Sequence, residues 1–265
     1  MTMCVQPWLL RVGLVGAVLW GTSTSLKAQP AETNYDESKV PAYKLPPLLP
    51  ADVAAESDAQ RAAIWKQSRR AEVQRLFEQN VYGKTPTAPM EVRAELLESS
   101  DQALDGAAER QQWRLTVSPS PAAEGLDPQR SIDIHVLIYA PKDKAAGQAQ
   151  APAFMGLNFY GNQTVHSDPQ IRMPDGWMRA NSKIGIVDNR ATEQTRGKAQ
   201  QRWQPEMLIA RGYGLVTMYC GDIDPDNYQH DFSDGVHPLF YQSGQTEPAA
   251  DEWGAIGGWA WGPGL

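Results

Sequence analysis

The sequence predicts an α/β fold built on a mixed sheet, and three observations carry that prediction. Three segments between residues 91 and 139 alternate apolar and polar side chains with period two, as antiparallel strands with one buried face do. Two later segments, 153–159 and 213–220, are continuously apolar, the habit of strands covered on both sides. One helical pattern separates those two segments and another follows the second. That order implies parallel pairing through crossover helices.

Taken in order, residues 1–28 have the form of a secretory signal peptide. Arg11 gives the positive start, Val12 to Trp20 form an apolar run too short to span a bilayer, and Ala28 is a suitable last residue before cleavage. The chain is therefore expected to be secreted or periplasmic, free of the membrane after cleavage. Residues 29–57 are rich in proline, alanine and acids, with Pro41, Pro46, Pro47 and Pro50, and read as an extended N-terminal segment. The domain proper is placed at 58–265. It opens after Ser57-Asp58 with a helix whose apolar positions include Trp65, Val73, Leu76, Phe77 and Val81. A break near Lys66–Arg70 is allowed for, and Gly83 ends the helix.

The period-two strands follow. Val92, Ala94 and Leu96 share one face of the first; Trp113, Leu115 and Val117 of the second; Ile132, Ile134, Val136 and Ile138 of the third. After the apolar strand at 153–159 come about forty mostly polar residues, 161–202; a loop of that length is usually a lid or a binding loop, or else disordered. A helix then starts near Trp203 with Pro205 in its first turn and closes at Gly212, before the apolar strand 213–220. Acidic turns fill 221–235, and Asp251-Glu252 are placed to cap a last helix, Trp253–Gly262. Antiparallel strands followed by strand, helix, strand, helix is the opening of an α/β-hydrolase sheet. In that architecture the loop after the first buried parallel strand supplies an oxyanion-hole N–H, and the nucleophile elbow follows the next strand after the second helix.

Composition narrows the function. A net charge of −7 and no dense Lys/Arg cluster argue against nucleic-acid binding. Cys4 and Cys220 are the only cysteines, and the first falls within the signal segment, so no intrachain disulfide framework is expected. Neither CxxC nor HExxH occurs, and His135, His166, His230 and His237 lack metal-ligand spacing, so no metal site is expected. Nine tryptophans are many for 265 residues; some could stack on sugars, but the simplest place for most is the core.

The stretch that carries chemistry is Ala153 to Val165, an apolar strand opening into a loop with Gly161 and two asparagines. Open α/β sheets bind ligands outside the carboxyl ends of their strands, so Asn158, Phe159, Tyr160, Gly161 and Asn162 are the candidate oxyanion and pocket-wall residues. No G-x-S-x-G elbow exists; Ser233 sits in Asp231-Phe232-Ser233-Asp234-Gly235, which lacks the first glycine. The run Asp222, Asp224, Asp226 fails the EF-hand pattern, with Asn227 and Ser233 where glycine and glutamate belong, and reads as a turn held by its own side chains. Asp133 and His135, two residues apart on one strand face, read as an ordinary polar face, and Cys220 as a buried small hydrophobe.

Several blocks in order resemble the bacterial glucuronoyl esterases, the 4-O-methyl-glucuronoyl methylesterases among the carbohydrate esterases. They are Arg69-Arg70 through Asn80-Val81-Tyr82-Gly83-Lys84-Thr85-Pro86, Gly156-Leu157-Asn158-Phe159-Tyr160-Gly161-Asn162, Arg211-Gly212-Tyr213-Gly214, Gly221-Asp222-Ile223-Asp224-Pro225-Asp226, and Asp251 through Gly262 with its Trp259-Ala260-Trp261 run. Tyr160 stands where that family more often carries glycine. The resemblance implies a secreted serine esterase of α/β-hydrolase fold that cleaves esters joining glucuronic acid on xylan to lignin alcohols, without cofactor or metal. Its substrate partner would be glucuronoxylan or a lignin–carbohydrate ester, and no specific protein partner is implied. The family's serine, histidine and acid, and the elbow G-x-S-R-x-G-K, have no counterpart in these residues and are expected beyond Leu265. The chain is thus expected to be an N-terminal portion truncated before the elbow, inactive by itself. Two other readings stay open: another secreted α/β-hydrolase such as an acetylxylan esterase, and a non-catalytic secreted carbohydrate-binding protein.

Overall fold

The computed structural model describes residues 34–53, 55–143, 150–227 and 232–265. The proposed signal segment 1–28 lies outside the described residues. Contacts divide the chain into two units, residues 1–47 and 48–265. Of the first, residues 34–47 are exposed chain with one tight turn, Glu37–Lys39, whose Asp36 cap accepts from the Ser38 N–H at 3.1 Å.

The second unit opens with α1 (Asp58–Ile64) and α2 (Arg70–Phe77), each followed by a widened turn, Trp65–Arg69 and Glu78–Tyr82. A capping box starts the run: Ser57 Oγ accepts from the Gln60 N–H, and Gln60 Oε1 accepts from the Ser57 N–H. The break expected near Lys66–Arg70 is the first widened turn. Gly83 ends the helix with φ +76°, packed so closely that a Cβ there would stand 2.0 Å from the Glu252 carbonyl oxygen.

The main sheet contains β1 (Met90–Ala103), β2 (Ala108–Pro119), β3 (Ile132–Pro141) and β4 (Ala153–Asn158). A small hairpin, β5 (Ile186–Val187) with β6 (Arg190–Ala191), stands apart, and β7 (Gly214–Tyr219) completes the main sheet. The order is β1-β2-β3-β7-β4: antiparallel from β1 to β7, then parallel between β7 and β4. The expected mixed sheet with antiparallel strands first is therefore what the chain forms.

Both faces of the central strands are covered. On one, Val117, Ile134, Val136 and Met218 pack against Ile223, Val236, Leu239 and Trp253. On the other, Leu137, Tyr139 and Leu215 pack under Val165, Ile171 and Ile209. The third alternating segment thus buries a second face that its period-two pattern does not announce. Position in the sheet overrides pattern at its edges. β4 is not covered on both sides as its apolar run suggests: it is last in the strand order, and Phe154 and Met155 remain 55% and 56% exposed. Val92 and Leu96 of β1, at the other edge, are exposed too.

The long segment 161–202 is a packed cover. Val165, Ile171, Met178 and Ile186 sink into the core, and Asn189 Nδ2 donates to the Met178 carbonyl at 2.9 Å. α3 (Gln200–Trp203) and α4 (Pro205–Ala210) follow, separated by Gln204 at φ +46° and stopped at Gly212 with φ +80°. After β7 come α5 (Cys220–Ile223) and α6 (Ala255–Trp261). The last helix starts at Gly254, without a side-chain cap. The expected caps are used elsewhere: Asp251 pairs with Lys84, and Glu252 Oε2 accepts from the Ala249 N–H and Gln245 Nε2. Trp253, Trp261 and Phe240 meet edge-on at 5.3–5.9 Å, which places these tryptophans in packing.

Candidate active site

The carboxyl end of β7 is where the ladder between β3 and β7 stops, with Val136 opposite Met218 as its last pair at that end. The next residue of β3, His135, would be left with an unbonded N–H and C=O toward β7. Neither is left so. Asp222 Oδ2 in α5 accepts the His135 N–H at 2.9 Å and stands 3.1 Å from ring Nδ1. Asn162 Nδ2 donates to the His135 carbonyl at 2.9 Å.

Asn162 holds more than His135. Its Oδ1 accepts from Asn158 Nδ2 at 2.8 Å, at the end of β4, and from Thr217 Oγ1 at 2.9 Å, within β7. One buried amide therefore joins β3, β4 and β7. Beside it lies a cavity of about 20 Å³, room for a single water, bordered by Trp113, His135, Arg172, Tyr219 and Asp222. The Tyr219 hydroxyl donates to the Trp177 carbonyl at 3.1 Å, and burial pushes its pKa up, which keeps the phenol protonated as a donor.

The loop between Asn158 and Asn162 is turned by its carbonyls. Gln163 Nε2, fully buried, donates to the Tyr160 carbonyl at 2.8 Å. The Gly161 carbonyl accepts from the Thr164 N–H at 3.1 Å and from Thr164 Oγ1 at 2.8 Å. A trans peptide sets C=O and the following N–H antiparallel. With the Tyr160 carbonyl drawn toward Gln163, the Gly161 N–H points the opposite way, and it forms no hydrogen bond among the described residues. Gly161 sits at φ +85°, and a Cβ there would stand 2.3 Å from Gln163 Oε1. Phe159 and Tyr160 face solvent, with Phe159 edge-on to Trp259 at 5.6 Å.

The five residues singled out from the sequence thus divide. Asn158 and Asn162 are buried scaffold, Gly161 is buried with an N–H that forms no hydrogen bond among the described residues, and Phe159 and Tyr160 are exposed aromatic rings. The aspartates of the acidic turn part company: Asp222 goes to His135, Asp224 Oδ2 lies 2.9 Å from His237 Nδ1, and Asp226 pairs with Arg179. Asp224 Oδ1 also accepts the Asp226 N–H at 2.8 Å, the self-bonded turn expected of this run. No cluster of three metal-ligating side chains forms among the described residues. Asp133 and His135 take separate partners, Thr116 Oγ1 and Asp222. Sequence reading missed the Asp222–His135 and Asn162–Thr217 contacts; Asp222, two residues past an apolar strand, was the visible signal. Cys220 is buried, and burial pushes its thiol up to about 12.

A mixed sheet with antiparallel strands first and then a parallel pair joined through crossover helices is the α/β-hydrolase arrangement. No family model matches the chain. A curated relative, carbohydrate esterase MZ0003 of an unknown prokaryotic organism, is 40% identical over 256 residues, 96% of this chain and 55% of the relative. The solved structure of a promiscuous CE15 esterase from a marine bacterial metagenome is 40% identical with a TM-score of 0.65, covering 87% of this chain and 54% of that one. A glucuronoyl esterase from Solibacter usitatus is 36% identical with a TM-score of 0.66, covering 86% and 54%. The chain therefore resembles the glucuronoyl esterases over most of its own length, in sequence and in fold. It spans about half the length of the relatives it matches.

Proposed function

We propose that this chain carries the oxyanion side of a serine-type carboxylic-ester hydrolase of the glucuronoyl esterase kind. The reaction is acyl transfer on 4-O-methyl-glucuronoyl esters that link xylan to lignin alcohols. A serine attacks the ester carbonyl, a histidine takes its proton, and backbone N–H groups hold the oxyanion. The Gly161 N–H is such a donor, the pocket wall is Phe159 and Tyr160, and the protein acts outside the cytoplasm after loss of residues 1–28. The observation that carries this reading is the Gly161 N–H at the carboxyl end of β4, turned away from Gln163 and without a hydrogen bond among the described residues, within a chain 40% identical to a carbohydrate esterase. These 265 residues contain no G-x-S-x-G elbow, so the chain alone is expected to hydrolyse nothing.

Two measurements on the purified chain test this. Hydrolysis of a glucuronate methyl ester that is abolished by a serine-blocking reagent would overturn the expected inactivity. Amide shifts over residues 159–162 on titration with that ester, and not with acetylated xylose, support the glucuronoyl reading. The reverse preference favours an acetylxylan esterase. Binding of xylan through the tryptophans with no response at 159–162 favours a carbohydrate-binding protein.

A further inference from the structure

We propose that Asn162 is a positioning residue that holds the Gly161 N–H in place to receive a developing oxyanion. This rests on the reading of the 158–162 loop given above and adds what fixes its geometry. The side chain satisfies three partners in three strands at once. Its carbonyl oxygen, with two lone pairs, accepts from Asn158 Nδ2 and Thr217 Oγ1, and its amide donates to the His135 carbonyl. Aspartate lacks the donor and would set a carboxylate oxygen against the His135 carbonyl. Glutamine is one methylene too long to keep all three contacts, and an apolar residue would orphan three buried polar groups.

The anchors are themselves rigid. Thr217 is fully buried in β7, and Asn158 is the last residue of the β4–β7 ladder. His135 is also pinned by Asp222, which accepts its N–H and stands 3.1 Å from its ring Nδ1. The loop from Asn158 to Asn162 is therefore held at both ends by one amide, with only three residues between them. Between those ends, Gln163 draws the Tyr160 carbonyl inward and so turns the Gly161 N–H of the same peptide the other way, while Thr164 holds the Gly161 carbonyl. An oxyanion donor works only if its direction is set before reaction, because a displaced donor must reorganise as charge develops. Asn162 sets it without touching the anion.

The test uses the full chain labelled with ¹⁵N and a tetrahedral phosphonate ester as anion probe, read at the Gly161 amide. The wild type is expected to show a saturable shift. Asn162→Asp is expected to weaken the probe's apparent affinity at Gly161 about tenfold, the loss of one hydrogen bond to a charged group. Thr217→Val keeps shape and removes one of the three contacts; it is expected to weaken the response about threefold, and Thr217→Ser to restore it, since about half that free energy is at stake. A response undiminished in Asn162→Asp, with circular dichroism showing a folded chain, overturns the role of Asn162 and leaves the oxyanion reading standing. Should Asn162→Asp fail to fold, the Thr217 pair decides, and an unchanged response in Thr217→Val overturns the proposal. No response in the wild type sinks the oxyanion reading, and this inference with it.

Discussion

Arg110 is the most exacting charge in the fold. It is 2% exposed, near the start of β2, directly opposite Tyr139 of β3. Nε and Nη2 donate to the two Glu98 oxygens at 3.0 and 2.7 Å, and Nη1 pairs with Asp168. Glu98 Oε2 also accepts from Gln112 Nε2 at 2.8 Å. Glu98→Ala removes the acceptor of Arg110 Nε and Nη2 and one of the two acceptors of Gln112 Nε2, which keeps the Gln170 carbonyl at 2.9 Å. Breaking a buried pair costs about 3–5 kcal/mol because a charge is stranded. Here Asp168 still holds Nη1, and the Glu98 side chain is 28% exposed, so water can replace part of what is lost. A destabilisation of about 2–3 kcal/mol is expected, read as a fall in the urea midpoint with unchanged slope.

The pH dependence checks the cause. Burial alone would raise the Glu98 pKa, but the hydrogen bonds from Arg110 and Gln112 and the Arg110 charge outweigh it and hold the group below its ordinary 4.5. A carboxylate with a depressed folded pKa contributes stability that is fully present above its unfolded value and lost as pH falls through the folded one. The penalty of Glu98→Ala should therefore be constant above about pH 4.5 and shrink on further acidification. A penalty under about 0.5 kcal/mol, or one that persists unchanged in acid, would refute the reasoning.

Four further outcomes are expected. Gly83→Ala should destabilise by about 1–3 kcal/mol in the same urea assay, because φ is positive and the new Cβ meets the Glu252 backbone. Ser57→Ala should cost about 1 kcal/mol by removing half of the capping box. Met155→Lys on the open β4 edge should lower self-association, measured by light scattering, since an apolar unpaired edge is a template for strand addition. In a Cys4→Ser background, Cys220 should resist a thiol reagent at pH 8 and react at once in urea, since burial holds the thiol up at about 12.

The order of elements was legible without coordinates because it rests on local periodicity: antiparallel strands, then strand, helix, strand, helix. The sequence also determined the turn points at Gly83 and Gly212 and the glycine turn after β4, since glycine acts through its own backbone. Strand order was decided only by the folded chain. Nothing local distinguishes an apolar strand that will be covered from one that will form an edge, so β4 and β1 read as more buried than they are. The fates of the polar residues were decided the same way. Asn162, Asp222 and Glu252 each had a plausible local role, and each went to a partner distant in sequence or a different local one. A buried donor or acceptor takes whichever partner the packed strands bring within about 3 Å, and that distance exists only once the sheet has closed on its helices.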